Sequence, residues 1–426
     1  MSLLSSLYTG TSGLLASSQE LSVVGDNIAN AGTIGFKASR ASFADTLSQS
    51  LLGSGQVGLG SRLQMVQKIV TQGALTSTGL ATDLAIQGNG LFIVQGSHGG
   101  QTGTYYTRAG QFTLDANGYL VNLEGLRVQG YTADSTGAVN GALGDLAVGQ
   151  ATSVPSATAE VAVKANLQSD AVIPAAWDPL DPTGTSNFSS GVTVYDSLGT
   201  PHQVDVYYRR TGAGTWEWHA LTDGGGLTGG TAGTATQIAS GTLSFDTTGA
   251  LTSVTQSSSF NPRNAVNPQP LVFDFGDPAS AGGTGLEGIT QFASASSVTF
   301  ISQDGHPAGD LAGISIDATG HVQGSFTNGT SRVLGQVALA TFPAPDQLER
   351  LGGTLLGATL AAGQPGVGAP AQGGRGGLVA GALEQSNVDL AEELVRMIAA
   401  QRGFQANSKT ISTADQLLQE LMTLKR

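Results

Sequence analysis

The side chains able to do chemistry are few and poorly placed for it. Five histidines, His98, His202, His219, His306 and His321, are scattered without the spacing of a metal site. Cysteine is absent, which removes thiolate ligands, disulfides and a cysteine nucleophile. Residues 53–58 read Gly-Ser-Gly-Gln-Val-Gly, formally the glycine pattern of a dinucleotide loop. That loop works between a strand and a helix N-terminus, whereas here a polar Leu/Ser segment precedes it and no helix follows. Serine is abundant, yet no G-x-S-x-G elbow holds one as a nucleophile. Paired carboxylates for glycoside hydrolysis have no spacing signature, and nothing marks such a pair. Trp177, Trp216 and Trp218 read as packing residues. The sequence predicts no enzyme and no catalytic, cofactor-binding or metal site.

Acidic side chains do recur at one kind of position. Phe112–Leu120, Leu243–Leu251 and Ile314–Val322 each read strand, Asp-x-x-Gly, strand, around Asp115, Asp246 and Asp317. Asp at the start of a turn bonds its own backbone, and Gly supplies a positive φ at its end. These segments predict hairpins with a type I turn and a bulge. A calcium loop is the rival reading, but it needs several further acidic ligands and a closing Glu. Period-two stretches at Val192–Tyr195 and Val204–Tyr208 add to the strand signal.

The composition fits short strands and tight turns. There are 62 glycines in 426 residues, 12% charged residues and 6% aromatics. The net charge is −13, from 18 basic and 31 acidic side chains. Nucleic acid and anionic membrane surfaces call for clustered Lys and Arg, so neither is an expected partner. No apolar run is long enough for a membrane span, and the first residues lack the charged and apolar regions of a cleaved signal peptide.

The ends of the chain differ from its middle. Leu7, Leu14, Leu21 and Ile28 are spaced by seven, as are Leu383, Leu390, Met397, Phe404, Ile411 and Leu418. Two helices follow, over about 3–28 and 387–424, roughly 39 and 57 Å long at 1.5 Å per residue. Ser386 or Asn387 would cap the second. Each stripe is thin, so neither helix is expected to order alone in water. One reading packs both onto a globular body as ordinary amphipathic helices. The other pairs them in a coiled coil with each other and with neighbouring copies. Asn27 and Asn30 are candidate C-caps, and Gly32 and Gly35 stop the first helix.

The expected fold is mainly β with α-helical termini and two nested β-rich domains. Residues 1–30 and 383–426 form the helical coiled-coil domain, and 31–70 with 363–382 the connecting segments. Residues 71–150 and 288–362 form a first β-domain, and 151–287 an inserted outer β-domain.

Several segments carry a resemblance. Asn27-Ile-Ala-Asn30 with Thr33, Gly35, Phe36 and Lys37 is similar to the N-terminal signature of the bacterial flagellar rod and hook axial proteins. Asp83–Phe92 and Tyr106–Gly110 resemble that family's central segments. Ser386–Leu390 and Gln401–Asn407 resemble its C-terminal signature. Asn166-Leu167, Tyr195–Gly199 and Asn328–Gln336 look like its hook-type members. Phe342-Pro343-Ala344-Pro345 departs from the usual Phe-x-Asn-Pro.

The resemblance implies a structural subunit of the flagellar hook. Such a subunit polymerises into a curved helical tube, a universal joint carrying torque from motor to filament. It implies terminal helices in an inner tube and β-domains in outer layers. It also implies export without signal cleavage to an extracellular site on the basal body. The implied partners are other copies and the rod, hook cap, hook–filament junction and export apparatus proteins. Phe36 is a candidate interdomain anchor or a residue of plain local packing. The rival readings are a distal rod protein of the same family and a secreted β-rich adhesin or polysaccharide-acting enzyme.

Overall fold

The computed structural model describes residues 3–47 and 58–424. The Gly-rich pattern at 53–58 lies outside them except for Gly58. The fold is mainly β with a helix at each end, and the chain divides into two compact units.

The first unit comprises Met1–Ala151, Leu311–Ser325 and Ser331–Arg426. Helix α1 spans Leu3–Ala29 and helix α2 spans Leu390–Leu424. Glycine costs an exposed helix about 1 kcal/mol relative to alanine, and α1 contains Gly10, Gly13 and Gly25. Packing supplies what propensity does not. The position a Cβ would take on Gly10 lies 2.8 Å from the Ile411 side chain, and that on Gly13 lies 2.6 Å from Asn407. Gly403 in turn faces Ser17. Rising numbers on α1 thus meet falling numbers on α2, which makes the pair antiparallel. Val24, Ala400 and Ala414 are buried.

The two helices pair with each other within one chain, as the coiled-coil reading expects, each giving the other a neighbour for its stripe. Three features here differ from the sequence reading. Leu383 is not helical. It is buried in the strand Ala382–Glu384, and its seven-residue distance from Leu390 is a coincidence of spacing. The helix cap is Asp389, whose carboxylate accepts the N–H groups of Ala391 (2.8 Å) and Glu392 (3.3 Å). Finally, the described part of the connecting segment expected at 31–70 contains a strand pair. β1 (Ser39–Leu47) and β2 (Gly58–Lys68) pair antiparallel, and Gly60 lies against Ser12 of α1.

The β-body of this unit is one sheet with short side pairings. Its central path runs through Ser331–Val337, Arg127–Ala133, Leu91–His98, Gln101–Thr107, Leu355–Gly357 and Glu349–Gly352. Leu84, Phe92, Phe112, Val128 and Leu339 form its core, with Phe92 and Phe112 edge to face at 5.0 Å. Phe342, from the departing Phe-Pro-Ala-Pro segment, is buried against Tyr106 at 4.8 Å. Two small sheets bring the distant end of the chain back: Leu84–Gln87 pairs with Gly377–Ala380, and Leu75–Ser77 with Ala382–Glu384.

The second unit comprises Thr152–Asp310 and Phe326–Thr330. Five antiparallel strands between Phe188 and Ser258 follow one another in order. A second sheet is centred on Glu160–Gln168. The unit includes Ser297–Gln303, beyond the boundary expected at 287, because that strand pairs with Glu160–Gln168. Alternation along Thr215–Asp223 puts Trp216, Trp218 and Ala220 inside. They pack with Tyr208, Phe260, Phe273 and Phe275. Trp177 instead stacks on His219, with ring centroids 4.1 Å apart.

The three Asp-x-x-Gly hairpins form as read. In each, the Asp carboxylate accepts the N–H groups two and four residues on, as at Asp115 with Asn117 and Tyr119. Gly118, Gly249 and Gly320 all have positive φ. Asn122, Asp134 and Asp196 start three more turns of the same build.

Candidate assembly node at the root of the helices

Where α1 and α2 meet the β-body, segments far apart in sequence converge on one carboxylate. Glu384 is fully buried. Its Oε1 accepts from Lys37 Nζ at 2.6 Å and from the Gly73 N–H at 2.8 Å. Its Oε2 accepts from Arg108 Nε. Its backbone carbonyl accepts the Gly35 N–H at 2.8 Å. Arg108 uses its remaining donors on the carbonyls of Gly90 (2.5 Å), Ile86 (2.8 Å) and Gly88 (2.7 Å). A guanidinium presents donors in a rigid fork, and here that fork closes the 86–90 turn around itself.

The electrostatics favour a charged carboxylate. Burial pushes the Glu384 carboxyl up, but the Arg108 charge and the bonds from Lys37, Arg108 and Gly73 outweigh it and hold it below its usual range. Lys37 moves down as well: burial lowers it, Glu384 opposes that, and Arg108 adds to it. One of these shifts favours the pair and the other does not. The difference follows from the surroundings: Glu384 faces two cations, while Lys37 faces one anion and a second cation.

Two asparagines lock the neighbouring backbone. Asn27 is fully buried and is not a helix cap. Its Nδ2 donates to the Ser39 carbonyl (2.7 Å) and its Oδ1 accepts the Ser39 N–H (2.8 Å), so one side chain imitates a strand partner for β1. Asn30 does act at the helix end, with Nδ2 donating to the Asp26 carbonyl at 2.9 Å. Thr33 Oγ1 then donates to Asn30 Oδ1. Asn387, read from sequence as a cap, accepts the Ala38 N–H (2.7 Å) and donates to the Ile69 carbonyl (2.8 Å).

Phe36 lies in this region under Arg350, whose guanidinium carbon is 4.6 Å from the ring centroid. Arg350 also bonds Asp26 at 3.1 Å and the Lys37 carbonyl.

The structure therefore brings Asn27, Asn30, Thr33, Gly35, Phe36 and Lys37 to one place. It divides the helical residues. Leu7, Leu14, Leu21, Ile28, Met397, Ile411 and Leu418 are partly buried, whereas Leu390 and Phe404 are exposed. Arg350 and Glu384 had no role in the sequence reading, and Arg108 stood there only within the Tyr106–Gly110 resemblance. Glu384 had one signal, as the only ionisable residue in the Gly/Ala/Leu-rich run from Gly376 to Gln385. Among the described residues, no group of three or more His, Asp or Glu is placed to hold a metal. Nor is any helix long and apolar enough to cross a membrane.

Known proteins resemble this chain along its whole length. Residues 7–37 match the family described as Flagella basal body rod protein. Residues 85–168 match the Flagellar hook protein FlgE/F/G D1 domain, and 166–306 the Flagellar basal body protein FlaE D2 domain. Residues 379–424 match the Flagellar basal body rod FlgEFG protein C-terminal family. The flagellar hook protein FlgE of Salmonella typhimurium is 35% identical, over 99% of this chain and 100% of its own. That of Borreliella burgdorferi is 35% identical over 99% of both chains. That of Escherichia coli is 34% identical over 97% of this chain and 98% of its own. Helices, node and both β-units fall within these matches, and this chain belongs to the flagellar hook protein FlgE family.

Proposed function

We propose that this chain is the structural, non-enzymatic subunit of a bacterial flagellar hook, polymerising into a curved tube that transmits torque as a universal joint. One observation carries the reading. The root of the helices is locked to the β-body through Glu384, while Leu390, Leu394, Val395, Ile398 and Phe404 of α2 stay exposed. A row of apolar side chains on a firmly held helix suits burial against other copies. The inner tube would be made by residues 1–30 and 383–426, and the outer layers by a first β-domain with a second inserted into it. Leu7, Leu14, Leu21, Ile28, Met397, Ile411 and Leu418 would hold the helices of one copy together. Leu390 and Phe404 would join copies.

The subunit is exported to the flagellum without signal cleavage and meets the rod, hook cap, hook–filament junction and export apparatus proteins there. Few charges and small side chains on the outer β-layers leave contacts between copies free to slide there, because ion pairs and aromatic anchors fix register. Electron microscopy tests the reading directly. The purified chain should assemble into curved tubes, and cells lacking the gene should carry basal bodies without hooks. Hooks of normal length in such cells would refute it.

A further inference from the structure

A cavity of about 760 Å³ opens at the root of the helices, within the first unit. That lies inside the range of ligand-sized pockets. Phe36, Val70, Phe342 and Leu348 give it an apolar wall. Its charges are lopsided. Lys37, Lys68, Arg108 and Arg350 line it, four of the chain's 18 basic side chains, against one lining carboxylate, Asp26, of 31 acidic ones. Lys37 and Arg108 share Glu384, and Arg350 bonds Asp26.

Lys68 differs from the other three. Among the described residues it makes no ion pair, and its ammonium donates only to the backbone carbonyls of Leu348 and Asp346. Burial and then the Arg350 charge lower its pKa, and together they outweigh Asp346 and Glu349. A partly buried cation without a carboxylate partner, beside an apolar wall, is complementary to an acidic side chain with an apolar neighbour.

We infer that this cavity receives an acidic segment of a second copy of this chain, its carboxylate meeting Lys68 and its apolar side chain meeting Phe36 and Val70. The inference rests on the polymer reading above, and charge complementarity selects the occupant. Each copy carries a net charge of −13, and in a homopolymer the neighbouring surface is always another copy. A cavity that accepts part of a neighbour makes a head-to-tail contact, the kind that propagates a filament.

Val70 is half exposed and so can carry a probe. The full-length chain with p-benzoylphenylalanine in place of Val70 is assembled into tubes and illuminated. Covalent dimers are expected in the tubes and not in dilute monomer. The attachment should map to a peptide of the second copy that contains Asp or Glu. Tubes that yield only intramolecular adducts, or an attachment to a peptide without an acidic residue, overturn the inference and leave the hook reading standing. If the unmodified chain forms no tubes, both fall.

Lys68→Gln gives a second measure, since the amide keeps a donor for the Leu348 carbonyl. The concentration needed for assembly should rise about tenfold, with the monomer's melting temperature retained. An unchanged assembly concentration counts against the inference. If Lys68→Gln lowers the melting temperature, the crosslink alone decides.

Discussion

Glu384 and Arg108 lie 276 residues apart in the chain and form an ion pair with both side chains almost wholly buried. Removing one partner of such a pair leaves an uncompensated charge and costs about 3–5 kcal/mol. Here two cations would be stranded, Arg108 and Lys37. Glu384→Ala should therefore lower the stability of the full-length chain by about that amount, read as a fall in the urea midpoint at neutral pH. The pH dependence separates charge from packing. Glu384 is held below its unfolded value, so its contribution is present above about pH 4.3 and is lost as pH falls through the folded value. Asp145, Asp196 and Asp317 are lowered too, so the whole chain weakens in acid. The stability difference between wild type and Glu384→Gln isolates one group. It should shrink on acidification, and a constant difference would show that the carboxylate's charge is irrelevant.

Asn27 supplies a second test. Its amide satisfies both backbone groups of Ser39 in a buried site. An unsatisfied buried donor or acceptor costs about 1–3 kcal/mol. Asn27→Ala should lose about that much and speed amide exchange at Ser39. Asn30→Ala removes the exposed bonds to Asp26 and the partly buried bond from Thr33, strands no fully buried group, and should cost under about 1 kcal/mol. Equal losses would mean that Asn27 is merely another cap.

How far the sequence carried depends on the range of each interaction. The Asp-x-x-Gly turns were legible because donor, acceptor and glycine sit within five residues, so pattern and structure coincide. The helices were legible because apolar spacing repeats. The same spacing misled at Leu383, where a strand residue fell seven positions before Leu390. N-cap preference misled at Asn387, where the true cap, Asp389, lay two residues further on. β1 and β2 were obscured by glycine and serine, and β2 shows no period-two burial. Glu384 stood out as a lone ionisable residue, but its partners were beyond reach, because Lys37 and Arg108 lie 347 and 276 residues away and no local pattern encodes such a meeting.

Gly32 and Gly35 read alike in the sequence, both as helix breakers, and the structure separates them. Helix α1 ends at Ala29, before either one. Gly35 has φ of +70°, and a Cβ there would lie 2.6 Å from the Ala109 nitrogen. Backbone cannot swing aside as a flexible side chain does. Gly35→Ala should cost more than the ~1 kcal/mol of the left-handed conformation alone, and the displaced backbone would weaken the bond from Gly35 to the Glu384 carbonyl. Gly32 has nothing within 4 Å of its Cβ position and no left-handed φ. Gly32→Ala should stay within about 0.5 kcal/mol of wild type. Thermal melts of the two variants decide whether the motif's glycines act by conformation or by close approach.

The helices make opposite predictions on their two sides. Gly10 faces Ile411, so a side chain there has to force the pair apart. Gly10→Val should reduce the helical circular dichroism of the monomer and lower its melting temperature. Phe404 and Leu390 are exposed in the single chain, so making them polar removes little from the monomer. Leu390→Ser and Phe404→Ser should leave monomer melting within about 0.5 kcal/mol of wild type and abolish tube formation. The contrast tests the division of labour directly. Small residues on one side of the pair set the internal seam, and large ones on the other side await a neighbour. If Phe404→Ser destabilises the monomer as much as Gly10→Val does, the large residues are internal, and contact between copies must be sought elsewhere on the chain.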